Sequence, residues 1–194
     1  MRRKRKKCTY ASHSTWGKIW HFLWHEDTWA SFLADAILII LIGKLLLYPG
    51  IGLVMGTDFP AVAVISGSMD HNDQTFGDWW GSNENQYASY NITESEFKDF
   101  SFRNGFSKGD ILIVSSKPDY NVGDVLVYSV SSRPYPIIHR IVIEDLTTYA
   151  TKGDANSGQL GFERSIGADQ IHGRAIFKIP YLGWLKVGFV ELFN

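Results

Sequence analysis

From Trp29 to Tyr48 the chain is mostly apolar, with Phe32-Leu33-Ala34, Ala36 to Gly43 and Leu45 to Leu47 as its longest runs. About 20 residues of helix cross a hydrocarbon core ~30 Å thick, so this stretch predicts a transmembrane anchor over 29–48. Asp35 and Lys44 interrupt it near its two ends, where a long or polar side chain can reach the headgroups. Trp29 and Tyr48 mark the boundaries, and Pro49-Gly50 is where the sequence ends the span. The apolar stretch begins too late and runs too long for a cleaved signal peptide, which predicts an uncleaved anchor. Arg2 to Lys7 is an unbroken basic run on its N-terminal side. Basic residues stay cytoplasmic, so the expected topology is single-pass in the cell membrane, with everything after the span extracytoplasmic.

The formal net charge of −1 hides this asymmetry, because a basic tail is balanced by a mildly acidic remainder. Taken alone, the basic run suits nucleic acid as well as anionic lipid. The span beside it favours lipid, and no nucleic-acid partner is expected. Within the first segment, 1–28, Trp16, Ile19, Trp20, Leu23 and Trp24 recur at spacings of three and four. That is a tryptophan-faced interfacial helix, or otherwise a soluble core helix. The single cysteine, Cys8, excludes an intramolecular disulfide.

Residues 49–180 read as an extracytoplasmic β domain. Ile51 to Met55 is short, apolar and broken by glycine, and is expected at the outer membrane surface. Residues 70–105 form an insertion rich in Asn, Asp, Ser and Glu, yet carrying Trp79, Trp80, Tyr87, Tyr90, Phe97, Phe100 and Phe102. So many aromatics predict that it folds onto the domain. Asn91-Ile92-Thr93 is a glycosylation sequon, consistent with an outside location. From Ile111 the pattern is β: Ile111 to Val114, a turn at Lys117 to Tyr120, Val125 to Val130, Ile137 to Ile143, an element at Tyr149 to Thr151, and Gly173 to Ile179. Short strands with frequent turns indicate an antiparallel fold. The final 181–194 is apolar but too short to span. It reads as a membrane-surface segment or as part of the core.

Three stretches carry chemistry. Val62 to Ile65 is an apolar run that stops at Ser66-Gly67-Ser68-Met69, presenting a hydroxyl at a tight turn. His139 ends the apolar Pro136-Ile137-Ile138, and Asp154 lies in Thr151-Lys152-Gly153-Asp154. Each has a plainer reading, as turn serines, a strand-end histidine and an aspartate that bonds its own backbone. His71 and His172 are rival bases, as is Lys152, and Arg140 reads as an ion-pair partner.

With Lys108-Gly109-Asp110 and Val122-Gly123-Asp124, these boxes appear in an order that resembles an archaeal type I signal peptidase, close to the catalytic subunit of the endoplasmic-reticulum complex. The resemblance runs from the anchor to about Pro180. It implies a mainly β fold of two antiparallel sheets behind an N-terminal transmembrane helix. It also implies a serine endopeptidase that removes signal peptides from exported preproteins after small residues. Ser68 is then the nucleophile, His139 its base and Asp154 the group that orients the imidazole. Ser66 supports the oxyanion, as in the bacterial relatives. Histidine suits such a base because its ordinary pKa of roughly 6.5 lets it take and return a proton near neutrality. Bacterial relatives have a lysine in place of His139. Many relatives carry a second acid about six positions beyond the aspartate; here that position is Leu160, and Glu163 or Asp169 are the candidates to replace it. No metal or nucleotide motif appears, so no cofactor is expected. The expected partners are signal peptides, the lipid bilayer and the protein-export translocon. Two alternatives remain: an anchored, non-catalytic β domain that binds a secretory or membrane partner, and a self-cleaving repressor on a related fold. The span stands where the repressor would carry its DNA-binding module.

Overall fold

The computed structural model of the chain describes residues 14–116, 119–184 and 186–188. The basic run, Cys8, Lys117-Pro118 and half of the C-terminal segment, Leu185 and Phe189 to Asn194, therefore lie outside the described residues. The chain divides into two compact units, Met1–Pro49 and Gly50–Asn194.

In the first unit, α1 (Thr15–His25) buries none of its residues, and Trp16, Trp20 and Trp24 are all exposed. Thr28 caps the next helix, α2 (Trp29–Ile42), by accepting from the Ser31 N–H at 3.1 Å. The Ser31 hydroxyl donates to Phe22 O (2.7 Å) and pins the two helices together. A π-helical turn, Gly43–Leu47, then leads into α3 (Tyr48–Met55). Helix thus continues past Pro49-Gly50, where the sequence predicted its end, and Ile51 to Met55 is helical. The wide turn explains this. The Tyr48 N–H bonds back five residues to Gly43 O, so the ladder has already shifted when the proline ring and its missing N–H arrive. Trp29–Met55 is 27 residues of helix, long and apolar enough to cross a membrane. At 1.5 Å per residue that is about 40 Å.

The second unit is built on antiparallel strands: β1 (Ala61–Ala63), β2 (Ile111–Ser115), β3 (Val125–Tyr128), β4 (Ile137–Glu144), β5 (Thr148–Lys152), β6 (Ile166–Gly167) and β7 (Ile171–Ile179). The antiparallel β class is as expected. Hydrogen bonds link the strands into one curled seven-stranded sheet, ordered β1-β2-β7-β3-β4-β5-β6, where two sheets were anticipated. Register shifts at Ile113/Val114, Val127/Tyr128 and Ile141/Ile143 are bulges that bend it, so curvature takes the place of a break between layers. One core cluster joins Val64, Met69, Phe106, Leu112, Val125 and Ala175; a second joins Leu126, Tyr128, Val130, Ile141 and Ile166.

The insertion folds as two helices, α4 (Phe76–Ala88) and α5 (Glu94–Asp99), which its polar composition concealed. Thr75 caps the first, accepting from the Asp78 N–H. Thr93 and Glu96 make a reciprocal capping box on the second. Trp79, Trp80, Tyr87, Ile92 and Phe97 are buried together against Val142 of β4. The C-terminal segment begins by docking: the Gly183 N–H donates to Gly109 O (2.7 Å), and the Trp184 ring lies over Gly109.

Candidate active site

The serine turn is anchored from below. Met69 is fully buried, its carbonyl accepts the Phe106 N–H (3.0 Å), and the Asp70 N–H closes the turn onto Gly67 O at 3.0 Å. Ser66 and Ser68 stand above it with their hydroxyls 3.1 Å apart. The Lys152-Gly153-Asp154 segment packs directly on this turn, since the Ala155 N–H donates to Ser68 O (2.9 Å) and the Asp154 N–H lies 3.3 Å from Met69 Sδ. Gly153 is required there. A Cβ on it would stand 2.8 Å from Ser68 O and 2.9 Å from His139 Nε2. The serine turn and the imidazole therefore close on the same glycine.

His139 is carried by β4, opposite Leu126 of β3. Its Nδ1 lies against the Oε1 of Glu163, whose side chain is fully buried. The carboxylate at His139 is thus that of Glu163 and not that of Asp154. The reason is local. Gly161–Glu163 is a 3₁₀ turn, and the other oxygen of Glu163 folds back onto the Leu160 N–H. The turn returns an acid three residues beyond Leu160 to the place where relatives were expected to supply one at Leu160 itself. Asp169 sits exposed on the turn Ala168–Gln170.

Asp154 has different partners. It is fully buried and accepts from Arg140 Nε (3.0 Å) and Nη2 (2.7 Å), from the Tyr87 hydroxyl (2.7 Å) and from His71 Nε2 (3.1 Å). Arg140 spends its remaining donors on the carbonyls of Ser101 (2.7 Å), Gly123 (2.9 Å) and Phe102 (3.0 Å), so all five of its N–H groups are engaged. Burial disfavours the charged aspartate, but the Arg140 guanidinium and the His71 hydrogen bond outweigh it and hold the carboxyl well below its ordinary range. Burial, and then the Asp154 charge, push the Tyr87 phenol up.

The rival bases are committed elsewhere. His71 stacks on Trp79 at 3.7 Å and bonds Asp154; His172 Nε2 lies 2.7 Å from the Ser129 hydroxyl. Lys152 is buried, with Nζ donating to Gly153 O at 3.0 Å, and burial pushes it down to about 8.

Ser66, Ser68 and His139 line one cavity of about 370 Å³. Asn156 lines it as well, and its other walls are largely apolar, from Val64, Ile65, Phe106, Ile137 and Leu160 among others. Among the described residues, no group of three His, Cys, Asp or Glu side chains is placed to hold a metal ion. Sequence reasoning named Glu163 only as an alternative. It did not see that the insertion would deliver Tyr87 and His71 to Asp154.

No family model matches the chain. Curated relatives do. The chain is 29% identical over 119 residues to the signal peptidase complex catalytic subunit of Komagataella phaffii, covering 56% of this chain and 50% of that protein. The subunit of the same name from Lachancea thermotolerans is 34% identical over 99 residues, 44% of this chain and 59% of the relative. In Saccharomyces cerevisiae the subunit is 41% identical over 59 residues, 27% of this chain and 35% of the relative. The chain spans about half the length of the curated relatives it matches. The boxes read in the sequence, the antiparallel fold behind an apolar helix and these matches agree: the chain is similar to the catalytic subunits of the signal peptidase complex.

Proposed function

We propose that the chain is a membrane-bound serine endopeptidase that removes signal peptides from exported preproteins, cutting after small residues. The observation that carries this reading is one cavity lined by Ser68 and His139, with the buried Glu163 carboxylate behind the imidazole. The Ser68 hydroxyl attacks the scissile carbonyl while His139 Nε2 takes its proton. Glu163 accepts from Nδ1–H, fixing the tautomer and stabilising the imidazolium. His139 then returns the proton to the leaving amine, and water, activated the same way, hydrolyses the acyl-enzyme. The Ser68 N–H and the Ser66 hydroxyl donate to the oxyanion. Asp154 acts at one remove, in the ion pair that holds Arg140 beside His139 on β4.

The same reading places the basic N-terminal side in the cytoplasm, and Trp29–Met55 across the bilayer. The β domain is then outside, where it meets signal peptides as they leave the export translocon. The exposed tryptophans of α1, and the exposed Tyr181 and Leu182, then lie at membrane surfaces.

Cleavage of a preprotein with an Ala-x-Ala site, in liposomes, tests this. Wild type cuts after the last Ala, and Ser68→Ala and His139→Ala each lose at least about 10⁴-fold in kcat. Glu163→Gln falls by a smaller factor, and Ser66→Ala by about 10²-fold, the usual effect of one lost oxyanion donor. Undiminished cleavage by Ser68→Ala would overturn the assignment of the nucleophile.

A further inference from the structure

The cavity that holds Ser68 is walled almost entirely by uncharged side chains, and one cation stands among them. Arg133 lines it from the loop between β3 and β4. The loop is tight: the Arg133 N–H donates to Val130 O at 3.1 Å, and Pro134 and Pro136 fix the backbone between Arg133 and the strand that carries His139. The guanidinium is not left to wander. Its carbon lies 5.7 Å from the centre of the Phe162 ring, which lines the same cavity. Phe162 immediately precedes Glu163, so the turn that presents an acid to His139 also braces this arginine. Among the described residues no carboxylate pairs with Arg133, whereas Arg140 and Arg174 each have an aspartate partner.

We infer that Arg133 is a specificity-determining residue, which favours peptides bearing an aspartate or glutamate side chain close to the cleaved bond. Guanidinium is a planar fork matched to a carboxylate. Here it lines a slot that otherwise offers an extended peptide apolar walls, the two serines, Tyr135, Asn156 and His139. An acidic side chain in that slot gains a partner at little ordering cost, because the proline-flanked loop and the Phe162 ring have already restrained the arginine. The slot also holds Ser68 and His139, so on the peptidase reading its occupant is the peptide being cut. Arg133 is exposed, so the preference is modest and screened by salt: about twofold to fivefold, as for an exposed ion pair.

This inference rests on the peptidase reading, and the experiment separates the two. The full chain, in liposomes of phosphatidylcholine alone and in liposomes that also contain anionic phosphatidylglycerol, is given Ala-x-Ala peptides in which Asp, Asn or Lys is placed in turn at each position around the cleaved bond. At one or more positions wild type shows an Asp-over-Asn ratio in kcat/KM of about two to five. That ratio falls towards one in Arg133→Gln, is kept in Arg133→Lys, and is replaced by a preference for Lys in Arg133→Glu. It also shrinks between about 0.05 M and about 0.5 M salt. If Arg133→Gln fails to fold, the salt dependence of the wild-type ratio still decides. In parallel, binding of the same labelled peptides to the Ser68→Ala full chain reads the preference without cleavage. A flat Asp-to-Asn ratio in wild type overturns the inference, as does a preference that survives Arg133→Gln. So does a loss confined to anionic liposomes and equal for all peptides, which would make Arg133 a lipid contact. Arg133-dependent binding of acidic peptides that wild type never cuts would instead sink the peptidase reading and leave this inference standing.

Discussion

Lys152 keeps its amine where no solvent reaches it, held by Gly153 O at 3.0 Å and lying 5.0 Å above the Tyr87 ring. Burial lowers its pKa from 10.5 to about 8, against the pull of the Asp154 and Glu163 carboxylates. The unfolded chain therefore holds this proton across the window from about 8 to 10.5, in which the folded chain has given it up. Stability due to this group rises with pH through that window, by up to about 3 kcal/mol. Urea unfolding in detergent should show wild type gaining on Lys152→Met between those pH values, and parallel curves would refute the assignment. At this scale much was legible. A hydroxyl at the end of an apolar strand and a histidine at the start of another mark Ser68 and His139, and the structure brings both to one cavity. The acid was not legible, because which carboxylate reaches Nδ1 depends on a three-residue turn folding Glu163 back beneath Leu160. Charge pattern does not encode that turn.

Among the elements, the insertion does most to fix the surroundings of the site. The α4 helix delivers Tyr87, and the loop before it His71, to the one carboxylate that neutralises Arg140. Asp154→Asn leaves a fully buried guanidinium without its counter-charge and should cost about 3–5 kcal/mol. Tyr87→Phe, which removes one 2.7 Å hydrogen bond, should cost about 1–3 kcal/mol. Chemical denaturation reads both, and neither loss should appear in Ser68→Ala. Because the Asp154 pKa is depressed, its contribution is complete above the ordinary carboxylate value of about 4 and fades as pH falls below it. The helices themselves had sequence signals in Thr75 and in the Thr93-x-x-Glu96 box. Their polar faces lowered the apolar count of the segment and masked them. Pro49 misled in the opposite direction, since a π turn just before it let the helix continue.

For the whole molecule, the order of strands matters more than their number. All the strands but the two-residue β6 could be read from their own residues, but alternation along a strand says nothing about which neighbour it will choose. That choice placed β7 between β2 and β3. Gly173 makes the junction possible: its φ is +147°, and a Cβ on it would stand 2.7 Å from Ser115 O of β2. Gly173→Ala should destabilise by more than about 1 kcal/mol. By hydrogen exchange, β2 and β3 should lose amide protection together; loss in one alone would show that β7 does not couple them. In the sheet, β7 alone joins the strands on the serine side, β1 and β2, to the β3–β6 block that carries His139. Chains are made from the N-terminus, so the serine turn emerges first, the histidine follows, and the strand that binds their two halves comes after both. On the proposed reading, a site divided in this way stays unassembled until β7 has been made and has closed the gap between the two halves.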